Sequence, residues 1–161
     1  MTEVADYKLV RNSTVGAELT EDKAKLLAAK MGVRRLKDGE YLVKEGEADQ
    51  TLFVLAAGKL AVTSKDSQGA EQTVYTMKEG ECAGTRAFVE QSPRKATLRA
   101  VDATAVYTLT PEDFESLLDA HPRVAFMVMR ALFRVTHANL SRMNQESMQM
   151  ANYISKTQGR Y

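Results

Sequence analysis

Three hydrophobic patterns follow one another along the chain. Residues 1–18 are polar, mixed and aperiodic, and read as a loose arm. LTEDKAKLLAAKM (19–31) then sets Leu19, Leu26, Leu27 and Met31 on a helical stripe, with Thr20 as N-cap and Gly32 as stop. From Val33 to Thr110 the apolar residues come in short, partly alternating runs punctuated by glycine. These predict strands at 33–36, 40–45, 51–58, 59–65, 72–77, 96–101 and 105–110, with a hairpin tip at 66–71. Strands spaced this way argue for a sandwich, barrel or jelly roll. Pro111 opens a helix, PEDFESLLDA, with acidic residues in its first turn, and His121-Pro122 closes it.

The pattern then changes once more. Residues 122–156 contain no Gly or Pro after the first turn and read as one long helix, followed by a frayed tail, TQGRY. Along it, Met129, Phe133, Thr136, Leu140, Met143, Ser147, Met150 and Ile154 alternate in steps of four and three. This is a heptad seam, and a helix that projects from a β-domain needs a partner for it. The expectation is that the first half packs on its own domain and the second half pairs with a second copy. The domain division is therefore an arm (1–18), a β-domain with its leading helix (19–121) and the long helix with its tail (122–161).

Composition narrows the class. The chain has 161 residues, 44% hydrophobic and 27% charged, with a net charge of +1. That supports one core and gives no strong electrostatic footprint for nucleic acid. One cysteine, Cys82, precludes an internal disulfide, and a reducing, cytoplasmic setting is expected. No segment has the pattern of a signal peptide or a membrane span, so no membrane association is expected. His121 and His137 lack metal-ligand spacing, and no nucleophile motif or phosphate-binding P-loop occurs, so an enzyme, a metal or a cofactor is not expected.

The chemistry concentrates in EGECAGTRAFVEQSPRKATLRA (79–100). Gly80 and Gly84 permit tight backbone turns, a short helix opens near Thr85, and Arg94 follows with a fork suited to phosphate. Taken alone, this composition is a weak signal, and a surface ion pair for Arg94 is the plainer reading. The stretch resembles the phosphate-binding cassette of cyclic-nucleotide-binding domains, found in catabolite-activator-type regulators, protein kinase A regulatory subunits and cyclic-nucleotide-gated channels. The matching residues are Gly80, Ala83, Gly84, Thr85, Ala87 and Phe88, then Pro93, Arg94, Ala96 and Thr97. KDGEYLVKEGEADQTLFVLAAGKLAVT (37–63) and TPEDFESLLDAHPRVA (110–125) resemble the flanking family elements.

The resemblance implies a mainly β fold with flanking helices: a cyclic-nucleotide-binding-type β-roll, or jelly roll, plus a long C-terminal dimerisation helix. It implies a ligand such as cAMP or cGMP bound by Gly84, Thr85, Arg86, Ala87, Arg94 and Lys95, with Asn139 of the long helix reaching the base. Thr85 stands where the family pattern has an acidic residue for the ribose hydroxyl. Loss of charge assistance there costs about 1–2 kcal/mol, or roughly ten- to thirtyfold in affinity. Arg86 replaces an apolar residue and either turns outward or adds a second cation; Ala83 replaces a larger plug. Three readings stay open: a cyclic mononucleotide, a more anionic small molecule held by Arg86, Arg94 and Lys95, or a ligand-free scaffold. A winged helix-turn-helix, which would follow the long helix in catabolite-activator-type regulators, has no room before Tyr161. Direct DNA binding is thus not expected, and a homodimer through 122–156 with a downstream partner protein is.

Overall fold

The computed structural model describes residues 3–158, with side chains through Lys156. Helix α1 (Tyr7–Arg11), a 3-10 turn (Thr14–Gly16) and α2 (Glu21–Lys30) precede the sheet. The strands are β1 (Gly32–Leu36), β2 (Tyr41–Val43), β3 (Leu52–Lys65), β4 (Glu71–Met77), β5 (Cys82–Ala83) and β6 (Thr97–Leu109). Helix α3 (Thr85–Glu90) sits between β5 and β6, and α4 (Pro111–Ala120) and α5 (Pro122–Gln158) follow. The chain is thus an antiparallel β-roll with flanking helices and a long C-terminal helix.

The sheet runs β1-β6-β3-β4, with β2 on β6 and β5 on β3. Each of the pairs 51–58/59–65 and 96–101/105–110, expected as separate strands, is a single bent strand. The bend falls where β3 and β6 shift register, between Leu55 and Lys59. Gly58 turns there with φ +86°, and a Cβ on it would lie 2.4 Å from the Ala103 carbonyl oxygen. Asp102 opposite has φ 61°. A bulge of this kind bends a strand without ending it, so a short apolar run reads as two strands from sequence.

Both faces of the bent strands are covered. Leu52 and Val54 face α1, α2, α4 and α5 in one core, whereas Phe53 and Leu55 face the inside of the roll in the other, with Leu36, Leu60, Leu98 and Val106. Burial on both sides explains the continuous run LFVL. Thr20 caps α2 through Lys23 N–H, as the sequence indicates, and Thr110 caps α4 through Asp113 N–H.

The expectation of a loose N-terminal arm is corrected. Asp6 caps α1, and Val10 and Val15 are fully buried in the helical core. Glu18 accepts hydrogen bonds from Arg130 (2.8 Å) and from Arg134, tying this segment to α5. The aperiodic sequence hid this because one short helix and a 3-10 turn bury single valines and show no stripe. Of the expected frayed tail, α5 continues to Gln158 and residues 159–161 lie outside the described residues.

Helix α5 changes character along its length. Val124, Ala125, Val128, Ala131 and Leu132 are buried. From Thr136 to Lys156 every residue is exposed.

The buried arm makes a measurable demand. Val10→Ala removes about two methylene equivalents from a fully enclosed site and should destabilise the protein by roughly 2 kcal/mol in denaturant unfolding; a loose arm would give no change.

Candidate functional site

The site begins with a backbone requirement. Gly84 ends β5 and opens α3 in the left-handed region, φ +81°. A Cβ here would lie 2.3 Å from Arg94 Nη1 and 3.0 Å from the Thr51 carbonyl oxygen. Glycine is thus needed both for its φ and for the close approach of the arginine. Pro93-Arg94 returns the chain, and backbone bonds from Arg94 N–H to the Glu47 carbonyl and from Gly46 N–H to the Arg94 carbonyl fix it, both at 2.8 Å.

Arg94 is 4% exposed. Its Nη2 donates to Asp49 Oδ2 (2.9 Å) and to the Thr51 carbonyl (2.6 Å), and Nη1 reaches the Gly84 carbonyl at 3.5 Å. The guanidinium also lies 5.0 Å from the Phe53 ring centre. Its Nε is buried and has no hydrogen-bond partner among the described residues. Burial pushes the Asp49 carboxyl up, but hydrogen bonds from Arg94 and Thr51 outweigh this and hold it below the ordinary aspartate value.

Gly84, Thr85, Arg86, Ala87, Arg94, Lys95 and Asn139 all line one hollow of about 410 Å³, between the β-roll, α3 and α5. Their roles differ from a simple cationic cradle. Thr85 is half-buried, with its hydroxyl 3.8 Å from Cys82 Sγ. Arg86 turns its guanidinium outward to Glu90 at 3.1 Å, which resolves the sequence alternatives for it. Arg94 has only Nε and Nη1 left for an anion, because Nη2 is committed within the protein. Lys95 is exposed at the rim, and Asn139 is a solvent-facing residue of α5 that still borders the hollow. Cys82 is a strand residue, and burial pushes its thiol up, away from thiolate chemistry at neutral pH.

Four contributors escaped the sequence reading. Asp49 lies in a loop 45 residues from its arginine, with no local signal. Tyr75 and Glu81 line the hollow from β4 and the turn before β5, and the Tyr75 hydroxyl donates to Glu81 (2.7 Å to the nearer oxygen). That bond pushes the Tyr75 phenol up, and Arg142 opposes it. Arg142 is the fourth; it stands three residues after Asn139, and helical spacing would have placed it on the same face.

A buried arginine thus lies against a left-handed glycine and borders a hollow beside the β-roll. The sequence profile of the family described as "Cyclic nucleotide-binding domain" matches residues 33–121, more than half of the chain. The chain belongs to the cyclic nucleotide-binding domain family. It is 32% identical over 92 residues to human cGMP-dependent protein kinase 2, covering 56% of this chain and 12% of the kinase. It is 29% identical over 102 residues to the cyclic AMP receptor protein of Thermus thermophilus, covering 63% of this chain and 47% of that protein. The chain thus spans less than half the length of both relatives. A solved cyclic nucleotide-binding domain from Methylobacillus flagellatus superposes with a TM-score of 0.81 at 16% identity, over 93% of this chain and 88% of that one, a likeness of fold. The cyclic nucleotide-binding fold is typical of regulatory domains. Among the described residues no helix is long and apolar enough to cross a membrane, and no group of three or more His, Cys, Asp or Glu residues could hold a metal ion.

Two outcomes follow from this geometry. Gly84→Ala should displace Arg94 and lower the melting temperature by several degrees, since strain near φ +81° and a 2.3 Å clash act together. For Asp49, a pKa lowered in the folded state means that its stabilising contribution is complete above the unfolded aspartate value. It is lost as pH falls through the folded value. Wild type should therefore lose stability below about pH 4, and Asp49→Asn should lack that part of the acid dependence in pH-resolved thermal unfolding.

Proposed function

We propose that this cyclic nucleotide-binding domain is a non-enzymatic regulatory sensor that takes a cyclic nucleotide in the hollow beside Gly84 and relays occupancy through α5. The carrying observation is Arg94, 96% removed from solvent yet bordering the hollow, with a donor, Nε, that nothing among the described residues satisfies. An orphan buried cationic donor is costly, and a phosphate oxygen would relieve it. The hollow falls in the size range of small-molecule sites, about 300–1,000 Å³. In this reading Arg94 and the backbone at Gly84 meet the phosphate, Thr85 meets the ribose and Asn139 meets the base.

The relay has physical parts. Phe88 of α3 packs edge-on against Phe114 of α4, centres 5.3 Å apart, so the cassette helix is coupled to the α4-α5 layer. Asn139 places part of the ligand's contact surface on α5 itself. A ligand that binds better with α5 drawn toward the hollow shifts the helix position, and with it the geometry of a homodimer paired through the seam. The seam suits a second copy. Phe133, Leu140, Met143, Met150 and Ile154 are each at least 47% exposed. In a parallel pair the flanking positions His137, Asn139, Asn144, Glu146, Ala151 and Tyr153 bring no two like-charged carboxylates or ammonium groups together. The same apolar face supports a second reading, a homodimeric adaptor that binds no nucleotide and engages a downstream protein.

Titration calorimetry with cAMP and cGMP separates the two readings. The sensor binds at least one of them, and Thr85→Glu, restoring a charged acceptor for the ribose, tightens that binding by about tenfold. Absence of binding by both proteins leaves the adaptor. Independently, a Leu140→Glu/Met143→Glu double variant should sediment as a monomer at concentrations where wild type is a dimer. Its melting temperature as an isolated domain should be little changed, because both residues are more than half exposed.

A further inference from the structure

Two groups of polar side chains border the hollow. One is built on Arg94, which Asp49, Thr51 and the Gly84 carbonyl hold in place. The other is Tyr75, Glu81, Asn139 and Arg142. Tyr75 stands opposite Val62, two residues before the buried Met77 on β4, and so shares the inward face of that methionine. Its hydroxyl donates to the Glu81 carboxylate, at 2.7 Å to the nearer oxygen. Arg142 is close enough to Tyr75 to oppose the upward push that Glu81 exerts on the phenol. Asn139 lies three residues before Arg142, on the same face of α5.

Arg86 pairs with Glu90 and Arg94 with Asp49. Of the charges in the lining this leaves Lys95, Arg142 and Glu81, which one singly charged phosphodiester balances. The second group is thus free to meet the neutral part of a cyclic mononucleotide. Glu81 and Arg142 form no ion pair with each other among the described residues. A carboxylate accepts through about four lone-pair sites, of which Tyr75 and Lys78 N–H engage only part, and a guanidinium only donates. Guanine offers the matching edges. Its N1–H and 2-amino group donate side by side, and its O6 and N7 accept side by side. Adenine reverses two of these positions: its N1 accepts and its 6-amino group donates.

We infer that Glu81 and Arg142 read the base beside Asn139 and select guanine, Glu81 accepting from N1–H and the 2-amino group and Arg142 donating to O6 and N7. The inference rests on the reading of the hollow as a nucleotide site and specifies the base. It also gives α5 a direct part in recognition, because one of the two readers rides on that helix.

The test is titration calorimetry on the full chain with cGMP, cAMP and cyclic inosine monophosphate, which lacks the 2-amino group. The expected result is that cGMP binds at least about tenfold more tightly than cAMP, with the inosine nucleotide between them. Glu81→Gln and Arg142→Gln should each weaken cGMP binding by about tenfold and leave cAMP binding within about twofold. Arg142 is exposed on α5, so its substitution leaves the fold intact and decides the matter should Glu81→Gln disturb the turn before β5. Binding of cAMP as tight as that of cGMP overturns the inference and leaves the nucleotide reading standing. A preference for cGMP that survives Arg142→Gln also overturns it, as does an equal loss of both nucleotides, which marks a structural role. Binding of none of the three overturns the inference together with the nucleotide reading on which it rests.

Discussion

The site depends on one buried guanidinium. Arg94 is drawn below the surface by Asp49, by the Thr51 carbonyl and by the face of Phe53. An isolated arginine would not remain there, because burial of an unpaired charge is prohibitively costly. The carboxylate of Asp49 makes burial tolerable, and the side chain of Asp49 stays 43% exposed, so one partner of the pair keeps its hydration. The arrangement leaves Nε unpartnered and Nη1 only weakly engaged, which makes Arg94 a preorganised donor and not a flexible surface cation. Gly84 is its necessary complement, since any side chain at that position would occupy the space of Nη1.

The β-roll holds this pair rigid because its two longest strands never break. β3 supplies Thr51's neighbour Leu52 and Phe53, pairs with β5 at Phe53–Ala83, and runs on beside β6 to Thr97. The loop bearing Asp49, the cassette bearing Gly84 and the return bearing Arg94 are therefore all attached to one bent ladder. The same strands face the helical layer with their alternate residues, so a change at the cassette meets the core that holds α1, α4 and the root of α5. Glu18, between Arg130 and Arg134, sits close to the point where α5 leaves that core. Beyond that point the described residues of the helix, Thr136 to Lys156, are all exposed, and Asn139 and Arg142 among them border the hollow.

Sequence legibility differed sharply between levels. The cap at Thr20, the hairpin tip, the helix after Pro111 and the long heptad helix are local or periodic features. They depend on side chains a few residues apart, and the structure contains them where the pattern put them. The cassette was legible because a tight turn, a short helix and an arginine fall within one continuous stretch. The arm and the joined strands were not legible: single buried valines have no period, and a bulge in a strand resembles its end.

By itself, then, the sequence determined the elements, the class of fold and a segment with the makings of a phosphate site, because each is encoded in neighbouring residues. Tertiary structure alone decided which charges face the hollow. Asp49 reaches Arg94 across 45 positions, and Arg142 arrives on a helix from the far end of the chain. Electrostatics acts through space and falls with distance in ångströms, not in residues, so no local pattern could have summed those charges.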